Sequence, residues 1–204
     1  MTGRGGGAEP PRSAFRREMR ERVLAAAREL AVEHGWQGVR LGELAARAEV
    51  SRPTVYKEFG DRAGIGKALI RRESDHFLAG IAEALDRRPD DMRAALAAAV
   101  DWTLAEAEAN PLVRAMVRPT RGGRADDLLV FLTTRPDPVF SGARVLLGGW
   151  LARQLPEAPA DAVREAVEVL VRLTVSHIVL PSGNADRSAD RLAAAVLHIA
   201  GASR

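Results

Sequence analysis

Apolar residues recur at spacings of three and four from Phe15 onward, through Met19, Val23, Leu24, Ala27, Leu30 and Ala31. That period puts them on one helical face, and the step His34-Gly35 supplies a C-terminal stop, so a helix of about twenty residues is expected from Ser13. After a Gly-Trp-Gln-Gly turn, Leu41, Leu44, Ala45 and Ala48 predict a short helix, Glu49-Val50-Ser51 a break, and Val55 and Phe59 one face of a second short helix. Asp61 can cap a longer helix that runs through Ile65, Leu69, Ile70, Phe77, Ile81 and Leu85 to Arg87-Arg88-Pro89. Further helices are expected over 90–109, 111–118 (opened by Asn110 and Pro111), 124–133, 138–155, 160–180 and 188–200, separated by short loops. No segment alternates as a strand. The expected fold is all-α, a small front domain followed by a larger helical bundle.

Composition sharpens this picture by exclusion. Among 204 residues, 47% are hydrophobic, 28% are charged and none is cysteine, which removes a disordered chain, a disulfide scaffold and a thiolate metal site. The longest apolar runs, 94–100 and 145–152, are far short of the ~18 residues a membrane span needs. The opening Met-Thr-Gly-Arg-Gly-Gly-Gly lacks the apolar core of a secretory signal, so a cytoplasmic location is expected. Residues 1–12, rich in glycine and without periodicity, read as a disordered arm. Basic charge is concentrated in front: residues 1–77 hold 15 Lys or Arg against 11 Asp or Glu, and residues 78–204 hold 15 against 16. The excess is small, but it lies where a phosphate-facing domain would carry it.

The chemistry is concentrated in residues 41–59. Two short helices joined by a tight turn place the second in a DNA major groove, which is about as wide as a helix with its side chains. Ser51 can cap that helix and Pro53 falls in its first turn, where a missing N–H has no helical partner to lose. With Val55 and Phe59 buried against Leu44 and Ala48, the residues Arg52, Thr54, Tyr56 and Lys57 lie on or near the outer face. They sit at a helix start whose free N–H groups favour phosphate.

The run Leu-Gly-Glu-Leu-Ala-Ala-Arg-Ala-Glu-Val-Ser-Arg-Pro-Thr-Val-Tyr-Lys-Glu-Phe-Gly-Asp-Arg resembles the signature of the TetR family of bacterial transcriptional repressors, with the resemblance extending from Arg17 to about Phe77. Gly35, Leu44, Ala45, Ala48, Val50, Ser51, Thr54, Tyr56, Phe59 and Arg62 match the family pattern in order and spacing. The resemblance implies that Thr54 and Tyr56 hold phosphates, that Arg52 and Lys57 face the groove, and that Arg62 is a further phosphate contact. With Arg40, Ser51 and Pro53, these form the expected DNA-binding set, in a domain spanning residues 13–77. Three positions depart from the pattern: Arg40 replaces a capping Thr, Glu49 a turn Gly and Glu58 a common His. Glu49 in a left-handed turn would cost of order 1 kcal/mol. Glu58, if exposed, would repel phosphate or accept from a cytosine amino group.

Residues 78–204 are long enough for a core of their own, and the resemblance assigns them effector binding and dimerisation. The segments 140–155 and 163–180 are apolar over more than one face and need cover on both sides, as two helices meeting their copies in a homodimer would have. Phe77, Trp102, Met116, Phe131, Trp150 and His177 are the candidate effector-lining residues; each apolar one also reads as ordinary core. A pocket with few polar groups suits a hydrophobic effector such as an acyl chain, a steroid or a drug-like aromatic. His177, in an otherwise apolar helix, requires a polar partner.

Other chemistry is not supported. Residues 60–67 lack the glycine and the final hydroxyl of a phosphate loop, the four histidines make no metal pair at helical spacing, and there is no Gly-x-Ser-x-Gly elbow. The reading is a non-enzymatic, cofactor-free and metal-free homodimeric repressor, released by a small molecule from an inverted-repeat operator. The competing readings are a helical carrier or enzyme and an architectural DNA-binding protein without effector.

Overall fold

A computed structural model describes residues 11–117, 138–180 and 185–202, and every regular element among them is helical. The helices are α1 (Pro11–His34), α2 (Leu41–Arg47), α3 (Arg52–Phe59), α4 (Arg62–Asp86), α5 (Met92–Ala109), α6 (Pro111–Val117), α7 (Pro138–Gln154), α8 (Ala160–Val179) and α9 (Ala185–Ile199), with a 3-10 turn over Trp36–Gly38. The chain divides into two compact units between Leu69 and Ile70, within α4. The expected helix at 124–133 lies outside the described residues.

Helix α1 starts two residues before Ser13, so Pro11 and Arg12 belong to the helix and not to a disordered arm. Proline in a first turn forfeits no hydrogen bond. Residues 1–10 lie outside the described residues. Met19, Val23, Leu24, Ala27, Leu30 and Ala31 form the buried face as expected, but Phe15 is 67% exposed, because the apolar stripe of α1 begins one turn later.

Helix α2 packs on α1 and on α3, and Leu44, Ala48, Val55 and Phe59 are all buried. The turn after α2 is made by two hydrogen bonds, from Glu49 N–H to the Ala46 carbonyl (3.1 Å) and from Val50 N–H to the Ala45 carbonyl (3.0 Å). This reciprocal pairing places the residue after the cap in left-handed backbone, normally glycine. Here that residue is Glu49, at φ 55°, the one described non-glycine residue with positive φ. The expected strain is therefore present. Asp61 caps α4 through its carboxylate, which accepts from Gly64 N–H at 2.8 Å. A Cβ on Gly64 would lie 1.8 Å from the Phe59 carbonyl oxygen, so only glycine allows the start of α4 to approach the end of α3 this closely.

In the second unit, α5 and α9 pack along each other, α8 packs on both α7 and α9, and one core joins them. Leu96, Ala99, Val100, Leu147, Trp150, Leu151, Val167, Leu170, Ala193 and Val196 lie within it. Asn110 opens α6 as expected, its side-chain oxygen accepting from Leu112 N–H at 3.0 Å. Arg93 on α5 grips Asp190 on α9 with two nitrogens, at 2.9 and 2.6 Å. On α7, Val145 is 77% exposed within a sequence stretch that is apolar on several faces.

Candidate nucleic-acid interface

The second short helix is built for its place. Ser51 has extended backbone and its hydroxyl accepts from Thr54 N–H at 3.2 Å, so it is the N-cap of α3, with Pro53 in the first turn. Val55 and Phe59 are turned inward. Ser51, Arg52, Pro53, Tyr56 and Lys57 are exposed, with Tyr56 at 51%. The pairs Arg52/Tyr56 and Pro53/Lys57 are each four residues apart, so these side chains make a continuous outer stripe.

The remaining expected contacts are more committed. The half-buried Thr54 shares a 2.7 Å hydrogen bond with the Ser51 hydroxyl. The guanidinium of Arg52 lies against Gly42, where a Cβ would come within 3.2 Å of it. Arg62 donates to the Gln37 backbone carbonyl (3.1 Å) and to its side-chain oxygen (3.0 Å), fastening the 3-10 turn to the start of α4. A guanidinium has five donors, so those bonds leave Arg62 able to meet a phosphate as well. Arg40 is exposed at the N-cap of α2 and makes no side-chain cap, which is the expected consequence of replacing threonine.

Glu58 departs from both expectations. Both require exposure, whereas its side chain is only 9% exposed and turns toward α1. Arg16 Nε donates to it at 2.7 Å and Arg20 Nη1 lies at 3.4 Å. The hydrogen bond from Arg16, more than any other influence, holds the Glu58 carboxyl below the ordinary carboxylate range. Arg20 also reaches the Glu58 backbone carbonyl at 3.3 Å and sits 4.6 Å above the centre of the Phe59 ring. It therefore satisfies one of the carbonyls left open at the end of α3 and makes a cation–π contact. Reasoning from the sequence did not connect these arginines with Glu58; the signal was Arg16 and Arg20 one helical turn apart on α1 and a lone acidic residue in an otherwise basic α3.

Residues 91–198 match the model described as the bacterial tetracyclin repressor C-terminal domain, and residues 23–69 match that of the bacterial regulatory proteins of the tetR family. The chain belongs to the TetR family. An HTH-type transcriptional regulator, AlkX of Mycobacterium tuberculosis, is 29% identical over 177 residues, covering 84% of this chain and 80% of the relative. The HTH-type transcriptional activator FasR of Mycolicibacterium smegmatis is 36% identical over 86 residues, 42% of this chain and 39% of FasR. Among solved structures, the TetR family repressor AlkX of a Dietzia strain superposes with a TM-score of 0.69 at 26% identity, over 98% of this chain and 100% of that one. The protein is thus a DNA-binding transcriptional regulator of the TetR family, with its helix-turn-helix in α2 and α3 and a family C-terminal domain behind it. The expected break between domains at residues 77 and 78 lies within α4, eight residues beyond the division between the compact units.

Of the candidate effector residues, the structure brings two together. Phe77 and Trp102 meet edge to face with ring centres 5.8 Å apart, and His76 completes the aromatic group at 6.0 Å from Trp102. Trp102 lies over Gly80, where a Cβ would be 2.0 Å from the ring. Trp150 is a buried member of the core. His177 finds its polar partner in its own helix, Nδ1 lying 2.7 Å from the Leu173 carbonyl oxygen. The side chain of Met116 and all of Phe131 lie outside the described residues.

Proposed function

We propose that this regulator is a homodimeric repressor that holds an inverted-repeat operator through the Arg52, Tyr56 and Lys57 stripe of α3, supported by Arg40, Ser51, Pro53, Thr54 and Arg62. A hydrophobic small molecule releases it. The observation that carries the DNA half is the capped helix α3, with a buried apolar face and an exposed stripe holding two cations and a phenol. One such helix reads few base pairs, so specificity requires two related by a two-fold axis. Val145 on α7, with Leu173 and Val179 on α8, supplies exposed apolar surface for the partner copy.

Support for a hydrophobic effector comes from how the second unit spends its polar groups. Ser74 and Thr174 are buried, yet each hydroxyl donates to the carbonyl four residues earlier, at 2.7 and 2.8 Å. Thr103 does the same at 2.7 Å. Hydroxyls bonded within their own helix offer little to a polar ligand, which supports an apolar one. The Dietzia relative is a repressor implicated in biodegradation of n-alkanes, and an aliphatic chain is the effector class this interior suits. Binding then shifts the population toward a conformation whose paired recognition helices no longer fit successive major grooves. Such action belongs in the cytoplasm, on the chromosome.

Linkage gives the test. Titrating n-alkanes and fatty acids of increasing length against the protein, free and on its operator, should give weaker binding to the complex by the same factor by which the ligand weakens DNA binding. Equal ligand affinity in both states contradicts release by that ligand class.

A further inference from the structure

We propose that Arg16 is an additional phosphate-binding residue flanking the recognition helix, and that Glu58 is the positioning residue that aims it. The inference rests on α3 being the DNA-facing helix. Glu58 stands one helical turn beyond Thr54 on α3, flanking the stripe of Arg52, Tyr56 and Lys57, so what it grips lies beside the DNA-facing residues. What it grips is Arg16, through Nε alone. The two Nη groups of Arg16 have no partner among the described residues, and the side chain is 64% exposed. A guanidinium anchored at Nε keeps its paired outer N–H groups in a fixed fork, the geometry that suits a phosphate.

The charge arithmetic agrees. A lone carboxylate at this rim would repel DNA, but Glu58 is met by both Arg16 and Arg20, which leaves the cluster at net +1. Arg20 has a different part, since its guanidinium is held over Phe59 and bonded to the Glu58 backbone carbonyl. It fixes the end of α3 to α1, whereas Arg16 extends outward. Replacement of the family's common histidine by glutamate thus recruits the start of α1 to the DNA face.

The test uses the full-length protein and any duplex, specific or not, because a phosphate contact is independent of sequence. Arg16→Gln should weaken binding severalfold, uniformly across duplexes, and make the slope of log affinity against log salt shallower by about one. In a Glu58→Ala background, Arg16→Gln should cost less than half as many fold as in the wild type, because an untethered arginine pays to be ordered. Arg16→Lys should retain the slope and lose part of the affinity. An unchanged slope in Arg16→Gln overturns the proposal, and it does so without the Glu58 variant, whose folding is checked by circular dichroism. Equal cost with and without Glu58 overturns its positioning role. A wild-type chain that binds no duplex instead overturns the reading of α3 as the DNA-facing helix.

Discussion

The two units of this protein solve opposite problems. The front unit meets a polymer of fixed geometry, so its functional residues stand at fixed spacings on one short helix: cap, proline, phenol and cation in nine consecutive positions, 51–59. In the back unit the buried hydroxyls of Ser74 and Thr174 are turned onto their own helices, and many combinations of apolar side chains can fill such a core. A surface that reads DNA is therefore constrained residue by residue, whereas a hydrophobic interior is constrained mainly in volume.

The most severe way to break the contrast is to damage the front unit alone. Gly64→Ala puts a Cβ onto the Phe59 carbonyl, a backbone atom that cannot rotate away. We expect a loss of about 2 kcal/mol or more, after allowing for about 1 kcal/mol of helix propensity gained. The first unit should melt early while the second persists, which two-transition calorimetry would show and a single shared transition would refute. Val145→Glu tests the back unit in turn, since its exposed apolar side chain should lie in the subunit interface. The expected result is a monomeric mass by light scattering and operator affinity lower by about a hundredfold.

Smaller effects separate reading from holding. Tyr56→Phe should weaken binding about tenfold on every duplex, as loss of a hydrogen bond to a charged group does. Lys57→Ala should instead change the selected bases, and unchanged selection would assign Lys57 to the phosphates. Glu49→Gly should raise thermal stability by about 1 kcal/mol with specificity unaltered, because it relieves left-handed backbone at an exposed position. Finally, the Arg16 hydrogen bond lowers the folded-state pKa of Glu58, so its contribution is full above the ordinary carboxylate pKa and is lost as pH falls from there through the lowered folded-state value. Glu58→Gln should flatten the acid limb of the stability profile, measured by chemical denaturation between pH 6 and pH 3.

These expectations also mark how far the sequence reaches. Helix order and most boundaries were legible because apolar period, caps and stops agree, as at Asp61 and Asn110. The strain at Glu49 was legible because the family pattern that the sequence resembles has a turn glycine at that position, and the turn keeps its positive φ with glutamate there. Glu58 was not, because its role depends on which way one side chain turns relative to a helix 42 residues away in sequence. His177 shows the same limit: its need for a partner was visible, but the partner is a carbonyl of its own helix. Phe15 was placed by periodicity on a buried face that starts a turn later.

The central claim is that α3 reads a two-fold-symmetric operator. Selection of genomic DNA fragments by the purified protein, at low and physiological salt, tests it most directly, since nonspecific phosphate binding collapses with salt and a specific site persists. The account predicts one enriched inverted repeat at physiological salt, with half-sites about one helical turn apart. Enrichment of no sequence, or of a half-site without its mate, would contradict it.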